Sequence, residues 1–185
     1  IDEGIEKLKS AQEQIKQYRQ SVLKSAFDGK LYKTTEWEEK TLEEITSILG
    51  DGLHGTPKYS ENGEYYFING NNLNDGKILI KDDTKKVDEE EYQKHKKDLN
   101  ENTVFVSING TLGNTAFYNN EKIIIGKSAC YFNLLPIANK KFIRFLLKTN
   151  NFMNYANLNA TGSTIKNVSL KSMRAYKVNL PTLDE

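Results

Sequence analysis

Apolar residues at the start of the chain recur on a helical step. Ile1, Ile5, Leu8, Ile15 and Val22 fall at spacings that place them on one side of an α-helix, with Gln12 and Arg19 interrupting the seam. The period predicts a helix over residues 3–27, about 37 Å long. Gly29 stands where a left-handed residue ends such helices, and Phe27 and Leu31 would carry an apolar contact past the stop. The stripe is one-sided, so it either seats on a partner surface or folds back on its own domain.

Beyond the glycine the pattern shortens. A polar link, KLYKTTEWEEK (30–40), leads to Thr41 and Glu44, whose spacing predicts a capping box opening a short helix through Ile48. GDGLHGTPKY (50–59) carries three glycines and a proline and predicts a loop. Residues 65–68 and 77–80 predict strands around the polar turn NGNNLNDG, and 88–97 a charged, exposed helix. Strands follow over 103–108, 114–118, 122–125 and 128–135, joined by glycine turns. Helices are expected over 139–149 and 151–158, with Phe142, Phe145, Leu146 and Phe152 facing a core. TGST (161–164) reads as a loop, Ser169 as the cap of a short helix, and 175–180 as a last strand. The fold class expected is α+β: a helical segment over 1–32, then a mixed domain over 33–185.

Composition narrows the class without changing that layout. At 185 residues and 37% hydrophobic, with ten Tyr and eight Phe, the chain can bury one core, and no run reaches membrane-spanning length. The single cysteine, Cys130, excludes an intramolecular disulfide and fits a reducing cytoplasm. Its setting, SACYFNLL, predicts a buried structural thiol. The chain opens IDEGIEKLK, with neither an initiator Met nor an apolar leader, so a piece of a longer cytoplasmic protein is expected. Lysine outnumbers arginine 23 to 3 and there are 20 Asn, a bias expected of an AT-rich bacterial genome.

The net charge of +1 conceals an asymmetry. Residues 33–101 carry ten basic against seventeen acidic groups, and residues 102–185 carry ten against three. A polyanion would be drawn to the later half, although the two halves would also attract one another.

Catalytic signatures are missing. His54 sits in a glycine loop and His95 on the charged helix, with no Cys/His cluster of metal spacing. No nucleophile elbow, phosphate loop or dinucleotide fingerprint occurs, and Pro57, Pro136 and Pro181 form no Pro-Pro-aromatic motif. DDTKKVDEEEY (82–92) reads as the solvated start of a helix rather than a metal-dependent nuclease site.

What stands out instead is four polar loops of one character: HGTPKY (54–59), NGNN (69–72), INGTLGN (108–114) and TGSTIKN (161–167). Glycine lets backbone approach closely, while Asn, Thr, Ser and Lys can meet phosphates or base edges. The expected DNA-binding set is Thr56, Lys58, Tyr59, Asn109, Thr111, Asn114, Ser163, Thr164 and Lys166. Lys58 and Lys166 are assigned to phosphate, and Asn109 or Asn114 to a base edge.

These motifs carry a resemblance. YRQSVLKSAFDGKL (18–31), Trp37, GDGLHGTPKY, YYFINGNNLNDGKI, VFVSINGTLGNTAFY, TGSTIKNVSLKSM and VNLPTLDE, in that order and spacing, resemble the specificity subunit of type I restriction-modification enzymes. The part matched is one conserved spacer helix of coiled-coil type followed by one target recognition domain. The resemblance implies two such domains held apart by antiparallel helices, each reading one half of a bipartite site on double-stranded DNA. It implies modification (methyltransferase) subunits docked on the helices and a restriction subunit that joins them. S-adenosylmethionine, ATP and magnesium would belong to those partners, leaving this chain no cofactor and no catalysis. In the family a Gln and a second long helix usually follow the last motif, and this chain stops just before them. A second recognition domain, or self-association through Ile5, Leu8, Ile15 and Val22, would then cover the exposed helix. The alternative is a non-catalytic coiled-coil protein-interaction module, against which the basic later half and the polar loops stand.

Overall fold

The computed structural model describes residues 2–31 and 37–181. Ile1, residues 32–36 of the polar link and the last four residues of VNLPTLDE lie outside them. Helix α1 (Asp2–Phe27) opens with Asp2 and Glu3 at its positive end and stops as the sequence expects. Gly29 takes φ +68°, the Gly29 amide donates to the Ala26 carbonyl at 3.1 Å, and the Lys30 amide donates to Ser25 at 2.8 Å. This is the paired bonding that closes a helix on a left-handed residue. Phe27 packs edge-on against Phe142 at 4.8 Å, and Phe142 in turn lies 6.1 Å from Trp37. Leu31, expected to extend that contact, is exposed.

The strands that follow are β1 (Trp37–Thr41), β2 (Thr46–Asp51), β3 (Tyr65–Ile68), β4 (Leu73–Asn74), β5 (Lys77–Ile78) and β6 (Lys86–Val87). After α2 (Glu89–His95) come β7 (Thr103–Ser107), β8 (Thr115–Phe117), β9 (Ile123–Ile125) and β10 (Ala129–Leu134). Helices α3 (Lys140–Leu146) and α4 (Asn150–Asn159) precede the hairpin β11 (Ala160–Thr161) and β12 (Asn167–Val168). Helix α5 (Leu170–Arg174) and β13 (Lys177–Pro181) complete the chain as described.

Two expectations fail near the domain's start. The stretch read as a polar link contains β1, which pairs antiparallel with β13 from Trp37↔Pro181 to Thr41↔Lys177. Its partner is supplied by the far end of the chain, so no local pattern announces it. The capping-box bonds form, with the Thr41 amide donating to Glu44 Oε2 at 2.7 Å and the Glu44 amide to Thr41 Oγ1 at 3.3 Å, but no helix follows. Residues 42–45 make a single turn that buries Leu42 and Ile45, and the chain then extends as β2 along the open edge of β10. Ladder bonds and burial override the local helix signal.

At the centre lies an antiparallel sheet ordered β2-β10-β7-β8. Strands β7 and β10 are buried along their whole length, and successive side chains enter opposite cores. Val104, Val106, Cys130, Phe132 and Leu134 meet α3, α4, α5 and β13 on one face, through Ile143, Leu147, Phe152, Met173 and Val178. Phe105, Ala129 and Tyr131 meet Ile68, Leu73, Ile123 and Ile125 on the other. There the second sheet, β6-β3-β9, pairs β3 parallel to β9. Cys130 is the buried thiol expected, its pKa pushed up by burial. Phe145, expected to face a core, is instead exposed beside α1.

Candidate nucleic-acid interface

Strand direction decides where the polar loops go. β2 and β7 run one way through the central sheet while β10 and β8 return, so the segments after β2, after β7 and before β10 share one end. β3 and β9 deliver their C-terminal ends to the same place. The Leu53 amide donates to the Ile125 carbonyl at 2.7 Å, the Lys127 amide to Leu53 at 3.0 Å, and the Gly126 amide to Ile68 at 2.8 Å. The Gly70 amide donates to Ser128 Oγ at 2.8 Å, and Ser128 Oγ donates to Asn69 Oδ1 at 3.0 Å. The β11–β12 hairpin joins through an antiparallel bridge between Asn109 and Asn167, where the Gly110 amide reaches the Lys166 carbonyl at 2.9 Å and Val168 donates to Ile108 at 2.8 Å.

Glycine is required where these segments cross. A Cβ on Gly52 would stand 1.9 Å from the Ile125 carbonyl oxygen, and one on Gly126 would stand 2.1 Å from Asn69 Oδ1. The first does not fit without moving backbone, and the second would displace the Asn69 and Phe67 side chains.

The nine expected contact residues distribute unevenly over this end. Asn109 and Lys166 are held on adjoining backbone, with exposed Ser163 and Thr164 at the tip of the same hairpin. Lys166 Nζ also donates to Asn157 Oδ1 at 2.5 Å. Thr111 is exposed in the β7–β8 turn, and Asn114 closes that turn: the Ser107 amide donates to the Asn114 carbonyl at 2.8 Å and the Asn114 amide to Ser107 Oγ at 2.9 Å. Thr56 is exposed two residues beyond His54, which lines a cleft of about 410 Å³ with Asp51, Asn109, Lys127 and Asn167. Lys58 and Tyr59 diverge. The Lys58 amide donates to Glu91 Oε1 at 2.9 Å, so its charge lies beside the acids of α2, where it helps hold Glu90 below the usual carboxylate range behind the larger effect of Lys94. Tyr59 stands 6.1 Å from Phe67 over a separate, smaller groove with Asn69, Asn71, Lys81 and Lys85.

Sequence reasoning passed over Lys127, His54 and Asn167. Lys127 lies in the three-residue turn of IIIGKSACYF, and its signal was a polar interruption between two apolar strands. His54 opens the HGTPKY loop, and its Nε2 meets Asp51 Oδ2 at 2.7 Å.

Charge is unequal across the fold because many cations of the later half are neutralised by acids of the earlier half. Lys122 pairs with Glu64, Arg144 and Lys148 with Asp75, Arg174 with Glu43, and Lys177 with Glu39. Lys127 and Lys166 have no ion-pair partner among the described residues, and both stand on the loop end. No group of His, Cys, Asp and Glu among the described residues is arranged to hold a metal, and no described helix is long and apolar enough to cross a membrane.

Comparison with known proteins gives a family and a fold. A family model described as type I restriction modification DNA specificity domain matches residues 34–185. Among solved structures, the chain is similar to the S subunit of a type I restriction-modification system from M. genitalium, with 20% identity and a TM-score of 0.54, over 82% of this chain and 36% of that one. It is also similar to the HsdS subunit from Thermoanaerobacter tengcongensis, with 11% identity and a TM-score of 0.60, over 98% of this chain and 44% of that one. A chain from a structure concerned with assembly and conformational transition of the type I R-M system gives 14% identity and a TM-score of 0.54, over 98% and 46%. At these identities the likeness is one of fold, and this chain spans less than half the length of each. No curated protein sequence matches it. With a match across residues 34–185, the chain belongs to the type I restriction modification DNA specificity domain family.

Proposed function

We propose that residues 33–185 read one half of a bipartite site on double-stranded DNA, and that residues 1–32 are a spacer helix on which partner subunits assemble. The carrying observation is the gathering of five polar segments at one end of the two sheets, knitted by backbone bonds and bearing Lys127 and Lys166, which have no ion-pair partner among the described residues. Phosphate contacts there fix position, and Asn109 meets a base edge. Thr56, Thr111, Asn114, Ser163 and Thr164 surround these three, while Lys58 and Tyr59 flank them. Methylation and cleavage would be the work of modification and restriction subunits, which would bring S-adenosylmethionine, ATP and magnesium in the cytoplasm. The reading as an interaction module without DNA is not favoured, since the family matched is a DNA specificity domain.

Selection from randomised duplexes tests this reading. The chain should enrich one short contiguous motif of a few base pairs. Output as random as the input would overturn it.

A further inference from the structure

The turn between β9 and β10 separates two concavities at the loop end. On one side Lys127 lines the cleft that it shares with Asn109 and Asn167. On the other, Ser128 Oγ donates to Asn69 Oδ1 at 3.0 Å, and Asn69 lines the groove of about 210 Å³ that Tyr59 borders. Strand β6 runs antiparallel to β3, so the turn that precedes β6 returns to this end and sets Lys81 and Lys85 along the same groove.

The walls of the groove are held by short-range bonds. The Phe67 amide donates to the Lys85 carbonyl at 2.8 Å, which fixes Lys85 beside Phe67. The Lys81 amide donates to Thr84 Oγ1 at 2.8 Å, and the Thr84 amide donates back to the Lys81 carbonyl at 3.0 Å. Asn72 is engaged internally: its Oδ1 accepts from the Asn69 amide and its Nδ2 donates to the Leu79 carbonyl, both at 2.9 Å. Asn71, its neighbour in the groove, is exposed. Lys81 and Lys85 are exposed as well, and neither has an ion-pair partner among the described residues, although Asp83 lines the groove with them. Tyr59 is 44% exposed, with its ring 6.1 Å from that of Phe67.

This lining selects its occupant. Two ammonium groups, an amide and a phenol hydroxyl can all offer hydrogens to an anion, and the tyrosine ring offers an apolar wall to a sugar. The volume admits the phosphate and sugar of one strand but no base pair. Contacts of that kind position a duplex without reading it. The acidic excess of residues 33–101 therefore conceals a pair of cations placed at the loop end.

Resting on the half-site reading above, we propose that this groove holds the phosphate–sugar backbone of the duplex that flanks the half-site on one side, so that the chain grips more DNA than it reads.

The test uses the motif that the whole chain enriches, placed in a duplex with long flanks and in two duplexes trimmed to the motif on one side or the other. Binding is followed by fluorescence anisotropy from about 50 to about 200 mM salt, with each variant checked for an unchanged circular-dichroism spectrum. One trimmed duplex should bind wild type more weakly than the full duplex, and Lys81→Ala/Lys85→Ala should bind these two alike. On the full duplex that double variant should lose about tenfold less affinity than wild type across the salt series, as expected when two phosphate contacts are removed. It should still enrich the same motif. Lys96→Ala/Lys141→Ala removes the same charge from exposed positions before β7 and after β10, at the opposite end of the sheets, and should keep the wild-type slope and flank dependence. A Lys81→Ala/Lys85→Ala chain with the wild-type slope and flank dependence would overturn the proposal. So would a changed motif, because the groove would then lie against the bases that are read. Equal effects from the two double variants would also overturn it, since the lysines would then act only through overall charge. A wild-type chain that enriches no motif would instead overturn the half-site reading, and the slopes of the two double variants on random-sequence duplex would still decide the groove.

Discussion

At the residue scale, the loop end depends on places where a side chain is forbidden. Gly126 is one of them: a Cβ there would meet the Asn69 side chain at 2.1 Å and Phe67 Cζ at 2.9 Å, on the segment that also carries Lys127. Gly126→Ala should cost about 1–3 kcal/mol in urea denaturation, the usual range for forcing extra volume into a packed site. Gly55, with nothing within 4 Å of its Cβ position, is the control, and Gly55→Ala should stay within about 0.5 kcal/mol of wild type. Equal effects would mean that the crossing of loops does not need the missing Cβ. Some of this scale was legible in advance. Cys130 sits between apolar neighbours and is buried, and the loops rich in Gly and Asn were visible as strings. The Asn109–Asn167 contact was not, because nothing within either loop names a partner 58 positions away.

Among the elements, those with strong local signals formed where expected: α1, its glycine stop, α2 within residues 88–97, and strands β7, β8 and β10 of the central sheet. The errors arose where a distant partner decided the outcome. WEEKT is polar enough to pass for a link and becomes a strand only because β13 lies beside it. The Thr41–Glu44 capping box makes its bonds and is then overruled by the edge of β10. A similar long-range junction ties the β4–β5 hairpin to α3. Asp75 pairs with Lys148 and, at 2.5 Å, with Arg144, while Gln20 of α1 donates to the Lys148 carbonyl at 3.1 Å. The Lys148 ammonium foremost, then the charge of Arg144, holds the Asp75 carboxyl below its ordinary range. A carboxylate whose folded pKa is depressed contributes stability above its unfolded pKa and loses it as pH falls through the folded value. Asp75→Asn should therefore melt below wild type at neutral pH, and the two curves should converge in acid. A gap that stays constant as the carboxylate is protonated would remove the ion pair from the explanation.

For the whole molecule, the unresolved balance lies in the helix. Its 26 residues span about 39 Å, and none is buried. Ile5, Leu8, Ile15, Tyr18 and Val22 are exposed, with Leu8 at 67%, although the C-terminal turns border a groove with Phe145 and Arg144. The end of the helix near Phe27 is anchored on the domain, and the rest of the stripe is left bare. Sedimentation should reveal association that strengthens with concentration, and Leu8→Glu combined with Ile15→Glu should weaken it, since an apolar stripe is costly in water. A strict monomer at high concentration would contradict the assignment of these residues to partner packing.

Charge at the same scale makes the central claim measurable. The pairing of the two halves consumes Lys122, Arg144, Lys148, Arg174 and Lys177, and it leaves Lys127 and Lys166 on the loop end. Each phosphate contact should contribute about 0.9 to the slope of log affinity against log salt. The direct measurement is duplex binding by fluorescence anisotropy across a salt series, comparing wild type with Lys127→Ala/Lys166→Ala. The expected result is binding that weakens with salt in wild type and a slope shallower by about two in the double variant, on every sequence tried. An unchanged slope would contradict the placement of DNA on this end of the sheets.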